Sequence, residues 1–127
     1  MRLEQGIVAV IDGASPQIGT LYPNILPPNP TYPAITYTRV STFQPTILDG
    51  VDTLTEVRVQ FDIWGTSVGS VKNAASDLRT LLNGYRGDLG GVTIQYCKFD
   101  DENDFAEIDG DLESRRVSMD FIFTLHE

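Results

Sequence analysis

Residues 55–65 read TEVRVQFDIWG and alternate between apolar and polar side chains over most of their length. Successive side chains of a β-strand point to opposite faces of a sheet, so this pattern predicts a strand over about residues 55–64. The apolar set is Val57, Val59, Phe61 and Ile63, and the polar set is Glu56, Arg58, Gln60 and Asp62. We therefore expect a sheet with one buried face and one charged face.

The segment after this strand predicts a helix that covers the apolar face. Gly65 interrupts the strand, and Thr66 or Ser67 can cap a helix by accepting backbone N–H bonds. Residues 67–83 carry apolar side chains at helical spacing, and Gly84 stands where a left-handed glycine commonly ends a helix. In residues 3–13 apolar side chains recur at every fourth position, which favours a short helix over the competing strand.

Three further strands are expected over residues 34–41, 91–99 and 113–125, which are rich in β-branched and aromatic side chains. In the second of them Val92, Ile94 and Tyr96 would share one face, and Cys97 would face outward. The acidic stretch before the last strand is predicted to be a solvated hairpin loop that turns at Asp109-Gly110.

Five of the seven prolines lie in residues 19–33. This density favours an extended arm without regular structure, which could lie on a neighbouring subunit. Together the elements predict one α+β domain over residues 1–127. It would hold a four-stranded, mostly antiparallel sheet, with the long helix and the short N-terminal helix packed on one face.

The charge balance restricts the partners of the chain. It has 18 acidic and 9 basic residues and a formal net charge of −9, which disfavours a grip on nucleic acid or on an anionic membrane. The N-terminus lacks the apolar region of a signal peptide, and no stretch approaches a membrane span. Cys97 is the single cysteine, so the chain fits a reducing compartment, and synthesis in the cytoplasm is expected.

Candidate chemical sites are weak. His126 is the single histidine, and Cys97 has no apparent base beside it, so neither predicts a nucleophile or a metal site. Residues 100–113 hold 8 of the 18 acidic residues, but their spacing does not fit a calcium loop. Asp62 and Asp120 could be neighbours on the outer face, where exposed acids are usually only solvated. We predict no catalytic residue, no cofactor and no metal.

Several motifs together resemble a known family. They are Tyr22-Pro23, residues 33–39 (PAITYTR), Leu48-Asp49-Gly50, Asp62-Ile63-Trp64, the helix at 67–83 and residues 116–121 (RVSMDF). In this order and spacing they resemble the tail completion or tail-terminator family, the head–tail joining proteins of long-tailed phages. The resemblance covers roughly residues 20–125.

The resemblance implies an α+β fold, a hexameric ring of identical subunits and no catalysis. Such a ring lies at the top of the tail tube in the virion, ends polymerisation of the tube protein and binds the head completion or connector protein. Viral DNA would cross its lumen without specific binding, because like charges repel.

The same resemblance suggests which residues form contacts. The outer strand face, with Glu56, Arg58, Gln60 and Asp62, would pair with the next subunit or line the ring. The loops at 42–54 and 100–112 would become ordered on docking to tube or connector. They contribute Asp49, Asp101, Glu102 and Asp104.

Other classes of protein stay open at this point. One is a neighbouring head–tail connector or adaptor protein. Another is a small soluble module that binds a cation or another ligand, and calcium-dependent stabilisation would favour it. An enzyme built on the acidic residues would lose its activity when Asp62 or Asp120 is changed.

Overall fold

The computed structural model describes residues 2–13, 18–25, 27–28, 32–44, 54–89, 91–109 and 112–126. These residues form two helices and six strands. In chain order the elements are α1 (Arg2–Asp12), β1 (Thr20–Pro23), β2 (Ala34–Phe43), β3 (Thr55–Gly65), α2 (Val68–Leu82), β4 (Gly87–Leu89), β5 (Val92–Asp109) and β6 (Leu112–His126). Neither helix in this part of the chain has the length and apolar character needed to cross a membrane.

The six strands form one mixed sheet in the order β1-β2-β3-β6-β5-β4. β1 runs parallel to β2, and every other neighbouring pair is antiparallel. The longest ladder joins β5 to β6 and runs from Thr93–His126 to Asp109–Leu112. Strands β3 and β6 lie at the centre of the sheet, where they carry most of its buried side chains.

The alternation along β3 produces one buried face and one polar face, as the sequence predicts. Its four apolar side chains are fully buried, and they face the buried residues of β6 across the ladder. The rings of Phe61 on β3 and Phe121 on β6 meet edge to face, with centroids 5.6 Å apart. Burial of a large apolar side chain stabilises the fold by roughly 1.5–3 kcal/mol, so this face is the main source of stability.

Both helices pack on the same side of the sheet. α1 buries Leu3, Ile7 and Ile11, which confirms the predicted spacing of four, and it contacts β1, β4 and β5. Because β1 and β4 are the two opposite edges of the sheet, a helix that reaches both requires the sheet to curl around it. α2 covers the middle of the curl and contacts β3, β5 and β6.

The ends of α2 are fixed by the residues that the sequence indicates. The Ser67 hydroxyl accepts a hydrogen bond from the Ser70 backbone N–H at 3.1 Å, so Ser67 is the N-cap. Gly84 has a φ of +80° and donates its N–H to the carbonyl oxygen of Cys97 at 2.7 Å, which ties the helix end to β5. A Cβ on Gly65 would lie 2.5 Å from the Val71 side chain, so glycine there permits close packing of α2 on the strand end.

Two bulges in β5 change which of its side chains face the helices. The ladder with β6 shifts between Ile94 and Tyr96 and again between Phe99 and Asp101. Each shift adds one residue and reverses the alternation beyond it. The prediction for Cys97 and Tyr96 is therefore wrong, since Cys97 is fully buried and Tyr96 is 41% exposed.

The predicted four-stranded sheet is also wrong, because the sheet has six strands and curls. Its two additional strands are short edge strands that lack a periodic pattern. Thr20–Pro23 lies in the segment predicted to be irregular, and an edge strand tolerates a proline because it needs no donor on its free side. The acidic segment is likewise not a loop up to Asp109, because β5 continues through it.

Candidate interaction surface

The sheet surface opposite the two helices is polar, and we call it the outer face. Its side chains form rows across the four long strands β2, β3, β6 and β5. From one end of the sheet to the other the rows are Phe43–Glu56–Thr124–Tyr96, Ser41–Arg58–Ile122–Lys98, Thr38–Gln60–Asp120–Asp101, Thr36–Asp62–Ser118–Asn103 and Ala34–Trp64–Arg116–Phe105. All of the predicted strand residues Glu56, Arg58, Gln60 and Asp62 lie here.

Arg58 is the centre of an ion-pair network on this face. Its Nη1 lies 2.7 Å from a carboxylate oxygen of Asp100 and 3.3 Å from one of Asp120. The hydrogen bond to Asp100 raises the pKa of the Arg58 guanidinium above its ordinary value. Burial raises the pKa of Asp120, although Arg58 acts in the opposite direction. Arg58 therefore binds acids of its own chain.

At the far end of the outer face, Arg116 lies between two aromatic rings. Its guanidinium carbon is 5.2 Å from the centroid of Trp64 and 4.3 Å from that of Phe105. Its Nη1 is 3.8 Å from a carboxylate oxygen of Asp62, and the Gln60 amide donates to the same carboxylate. Stacked arginines of this kind add cation–π stabilisation to the ion pair.

The acidic segment divides between the two faces because of the second bulge. Asp100 and Asp101 reach the outer face, whereas Glu102 and Asp104 lie opposite Met119 and Val117 on the helix side. There Lys72 of α2 forms ion pairs with both of these acids. Arg79, one turn before the end of α2, lies 4.0 Å from Glu102. These acids thus hold α2 against β5.

Glu56 differs from its neighbours. It is exposed, and within the described part of the chain its carboxylate has neither a hydrogen bond nor an ion pair. Its cross-strand neighbour Phe43 is 60% exposed. As far as the described residues show, this end of the outer face is therefore open for contact with another molecule.

The structure gives little support for catalysis by these acidic residues. Asp120 is bound to Arg58 and Asp62 to Arg116, so both carboxylates are in ion pairs. Burial raises the pKa of the Cys97 thiol to about 12, which leaves it protonated at neutral pH. Among the described residues no cluster of histidine, cysteine and acidic side chains could hold a metal.

The structure thus gives the predicted contact residues different surroundings. Arg58, Gln60, Asp62, Asp101, Glu102 and Asp104 have partners within the chain, Glu56 has none among the described residues, and Asp49 lies outside them. Sequence reasoning missed the pairing of Arg58 with Asp100 and the stacking of Arg116. Of these two, only the stacking of Arg116 has a signal in the sequence, because Trp64 and Arg116 each continue the alternating pattern of their strand.

Comparison with known proteins identifies the family. A sequence profile described as tail completion protein gp17 matches residues 9–125. No curated protein matches the chain. A solved structure described as the virion of a native gene transfer agent particle contains a chain of the same fold. Its TM-score is 0.65, with 13% sequence identity, over 95% of this chain and 84% of that chain.

Fold and family profile together define a structural protein of the phage tail. The chain belongs to the tail completion protein gp17 family, since the profile spans nearly all of it. The predicted resemblance is therefore confirmed, and with it the predicted location in the tail of the virion.

Proposed function

We propose that this protein forms a hexameric ring at the top of the tail tube, ends polymerisation of the tube protein and joins the tail to the head connector. The observation that carries the proposal is the match to the tail completion profile over residues 9–125. The role is mechanical, since the ring binds its neighbours and catalyses no reaction.

The distribution of charge supports the DNA-conducting part of this proposal. The whole chain has 18 acidic and 9 basic residues and a formal net charge of −9. A ring of such subunits repels the DNA backbone, so DNA crosses the lumen without being held. A positive lumen would bind phosphates and slow the passage.

The outer face also supplies the contact surface of the proposed ring. Its interior pairs, Arg58 with Asp100 and Asp62 with Arg116, keep the surface rigid. The open end at Glu56 is left for a neighbour. A prearranged surface loses little side-chain entropy on binding.

The first test is the mass of the protein in solution, measured by light scattering over a range of concentration and salt. The proposal expects a particle of about six times the 14.0 kDa of one chain. A second test adds the protein to polymerising tube protein and measures tube lengths by electron microscopy. Tubes should stop growing when the protein is present, and unchanged lengths together with a monomeric mass would contradict the proposal.

A further inference from the structure

The dipeptide Asn83-Gly84 follows directly after α2, and the chain contains this pair of residues once. An asparagine before a glycine can lose its side-chain amide when the backbone nitrogen of the glycine attacks its Cγ. Glycine favours this attack because it has no Cβ and leaves the main chain free to adopt the required conformation. Both residues are exposed, so water reaches the site.

The reaction has two steps, and water is its only co-reactant. In the first step the Gly84 nitrogen bonds to Cγ of Asn83, the Cγ–Nδ2 bond breaks, and the leaving amide takes up the Gly84 proton and departs as ammonia. The product is a five-membered succinimide ring. In the second step water adds to one of the two ring carbonyl carbons and opens the ring. One opening gives aspartate, and the other gives isoaspartate, whose main chain is longer by one methylene.

The folded end of α2 holds both reacting groups on the neighbouring strand. The Gly84 N–H donates to the carbonyl oxygen of Cys97 at 2.7 Å. The carboxamide oxygen of Asn83 accepts a hydrogen bond from the Phe99 N–H at 3.1 Å. Both partners belong to β5, and loss of the Gly84 proton would take this donor away from the Cys97 carbonyl. The two hydrogen bonds therefore oppose the attack.

The main-chain conformation of Asn83 also opposes ring closure. Its φ is −66° and its ψ is 123°. The five-membered ring requires Cβ of Asn83 and the Gly84 nitrogen to be nearly eclipsed about the Cα–C bond. At the observed ψ they are not eclipsed, so the ring forms only after a large rotation of ψ. That rotation moves the Gly84 nitrogen and breaks its hydrogen bond to Cys97.

We propose that Asn83 is a deamidation site that the folded protein protects and that becomes reactive when the end of α2 separates from β5. The ends of helices are among the parts of a protein that open locally most easily. The modification then records how long a chain has been open or unfolded. This protection uses contacts within a single chain, so it does not depend on the proposed ring.

The modified chain carries a defect that persists after refolding. Both products place a carboxylate at the C-terminal end of α2, where the helix dipole opposes a negative charge. Isoaspartate also adds a methylene between two backbone nitrogens that have fixed partners, since the Asn83 N–H donates to Arg79 and the Gly84 N–H to Cys97. We therefore expect deamidated chains to refold to a less stable protein, and isoaspartyl chains to lose the most stability.

Mass spectrometry of peptides from the digested protein tests the protection. One sample is kept at pH 8 in buffer, and another is kept at pH 8 in enough guanidinium chloride to unfold it. A peptide with the sequence of residues 79–88 serves as the unfolded reference in both solvents. After this correction, we expect deamidation of Asn83 to be at least about tenfold slower in the folded protein. Equal rates would overturn the proposal.

Two variants on the same helix assign the reaction to one residue. Asn83→Gln keeps a carboxamide, but its cyclisation would need a larger ring, so the deamidated peptide should be absent. Asn73→Gln is the matched control, because Asn73 is also exposed on α2 but is followed by Ala74. This control should deamidate at the rate of the original protein. A product that persists in Asn83→Gln would contradict the assignment.

Low concentrations of denaturant separate local from global opening. Opening of the helix end exposes little surface, so the deamidation rate should change little until the protein begins to unfold. A rate that rises steeply from the lowest concentrations would show that Asn83 reacts only from the unfolded chain, which contradicts opening at the helix end.

Refolding tests the consequence of the modification. Each protein is incubated in denaturant, refolded and compared with its own sample that was not incubated. The thermal unfolding midpoint of the original protein should fall with incubation time, whereas that of Asn83→Gln should stay constant. An equal result for the two proteins would contradict the expected defect.

Discussion

At the scale of single residues, Arg116 shows how one side chain joins three strands. It belongs to β6, stacks on Trp64 of β3 and on Phe105 of β5, and forms an ion pair with Asp62. A planar guanidinium can stack on two rings at once and still donate hydrogen bonds in its plane. A lysine ammonium has no comparable geometry.

Arg116→Lys should therefore lose most of the stabilisation that Arg116→Ala loses, which we expect to be about 1–2 kcal/mol. Trp64 is the single tryptophan, so its fluorescence reports the stacking directly, and the emission should change in both variants. The control is Arg86→Ala, which removes a cation from the ring of Tyr96 and should leave the emission unchanged. If Arg116→Lys kept the stability and the fluorescence of the original protein, a positive charge at this position would be sufficient and the stacking would not be required.

Asp120 offers a prediction about pH. Burial raises its pKa in the folded protein, so folding favours the protonated form. The contribution of this group to stability is full below the unfolded pKa and is lost as pH rises through the folded pKa. Asp120→Asn keeps the neutral form at all pH values, so the variant should be more stable than the original protein at pH 7.

This gain should disappear near pH 3, where the original carboxyl is protonated as well. Chemical denaturation at both pH values measures it. Asp88→Asn, the same change at an exposed site, serves as the control and should have little effect at either pH. A loss of stability in Asp120→Asn at pH 7 would mean that the ion pair with Arg58 outweighs the cost of burial.

At the scale of elements, the bulges of β5 decide the environment of neighbouring residues. Tyr96 and Cys97 are adjacent in sequence, yet one is exposed and the other is fully buried. The buried thiol has a pKa of about 12, so almost no thiolate exists at pH 8. The rates at which cysteines at these two positions react with a thiol reagent therefore test whether the first bulge reverses the alternation.

Cys97 should react with a maleimide or disulfide reagent only as fast as the protein unfolds. In a Cys97→Ser background, Tyr96→Cys should react at least a hundredfold faster under the same native conditions, because its thiol is solvated. Stopped-flow absorbance at pH 8 with and without urea gives both rates. Similar native rates would show that the alternation is not reversed at this point.

The sequence predicts long periodic elements well and short ones poorly. The sequence predicts β3, β6 and α2 because each repeats its apolar pattern often enough to be recognised. β1 and β4 have four and three residues, too few for a pattern, and are held by pairing with β2 and β5. The bulges add single residues of no special type, so no local signal marks them.

The sequence predicts the composition of the outer face but not the contacts between its side chains. Alternation places Arg58 there, whereas its partners Asp100 and Asp120 are 42 and 62 positions away in the chain. Sequence alone does not give the register of strands that are so distant.

At the scale of the whole molecule, net charge opposes assembly. Each copy carries −9, and six copies would repel one another over a distance that salt controls. The screening length is about 30 Å at 0.01 M salt and about 8 Å at 0.15 M. An ion pair between exposed side chains across a subunit contact contributes about 1 kcal/mol or less, so repulsion should dominate.

We therefore expect half-assembly to require a higher protein concentration in about 0.01 M salt than in about 0.15 M salt. Light scattering over a protein dilution series measures the shift. The control is a second monovalent salt at the same ionic strength, which should shift assembly to the same extent, because the screening length depends on ionic strength. Tighter assembly at low salt would mean that attraction across the subunit contact exceeds the repulsion between whole subunits.

The paired bulges of β5 have a consequence for how related sequences should be aligned. The first inserted residue reverses the face to which each later side chain of β5 points. The second insertion, near Asp100, restores the original alternation. Only residues Tyr96 to Phe99, which lie between the two insertions, have the reversed alternation of side chains. A relative that lacks one bulge would expose its core residues from that position onward. Evolution should therefore add or remove the two together, and gaps in this strand should occur as compensating pairs a few residues apart.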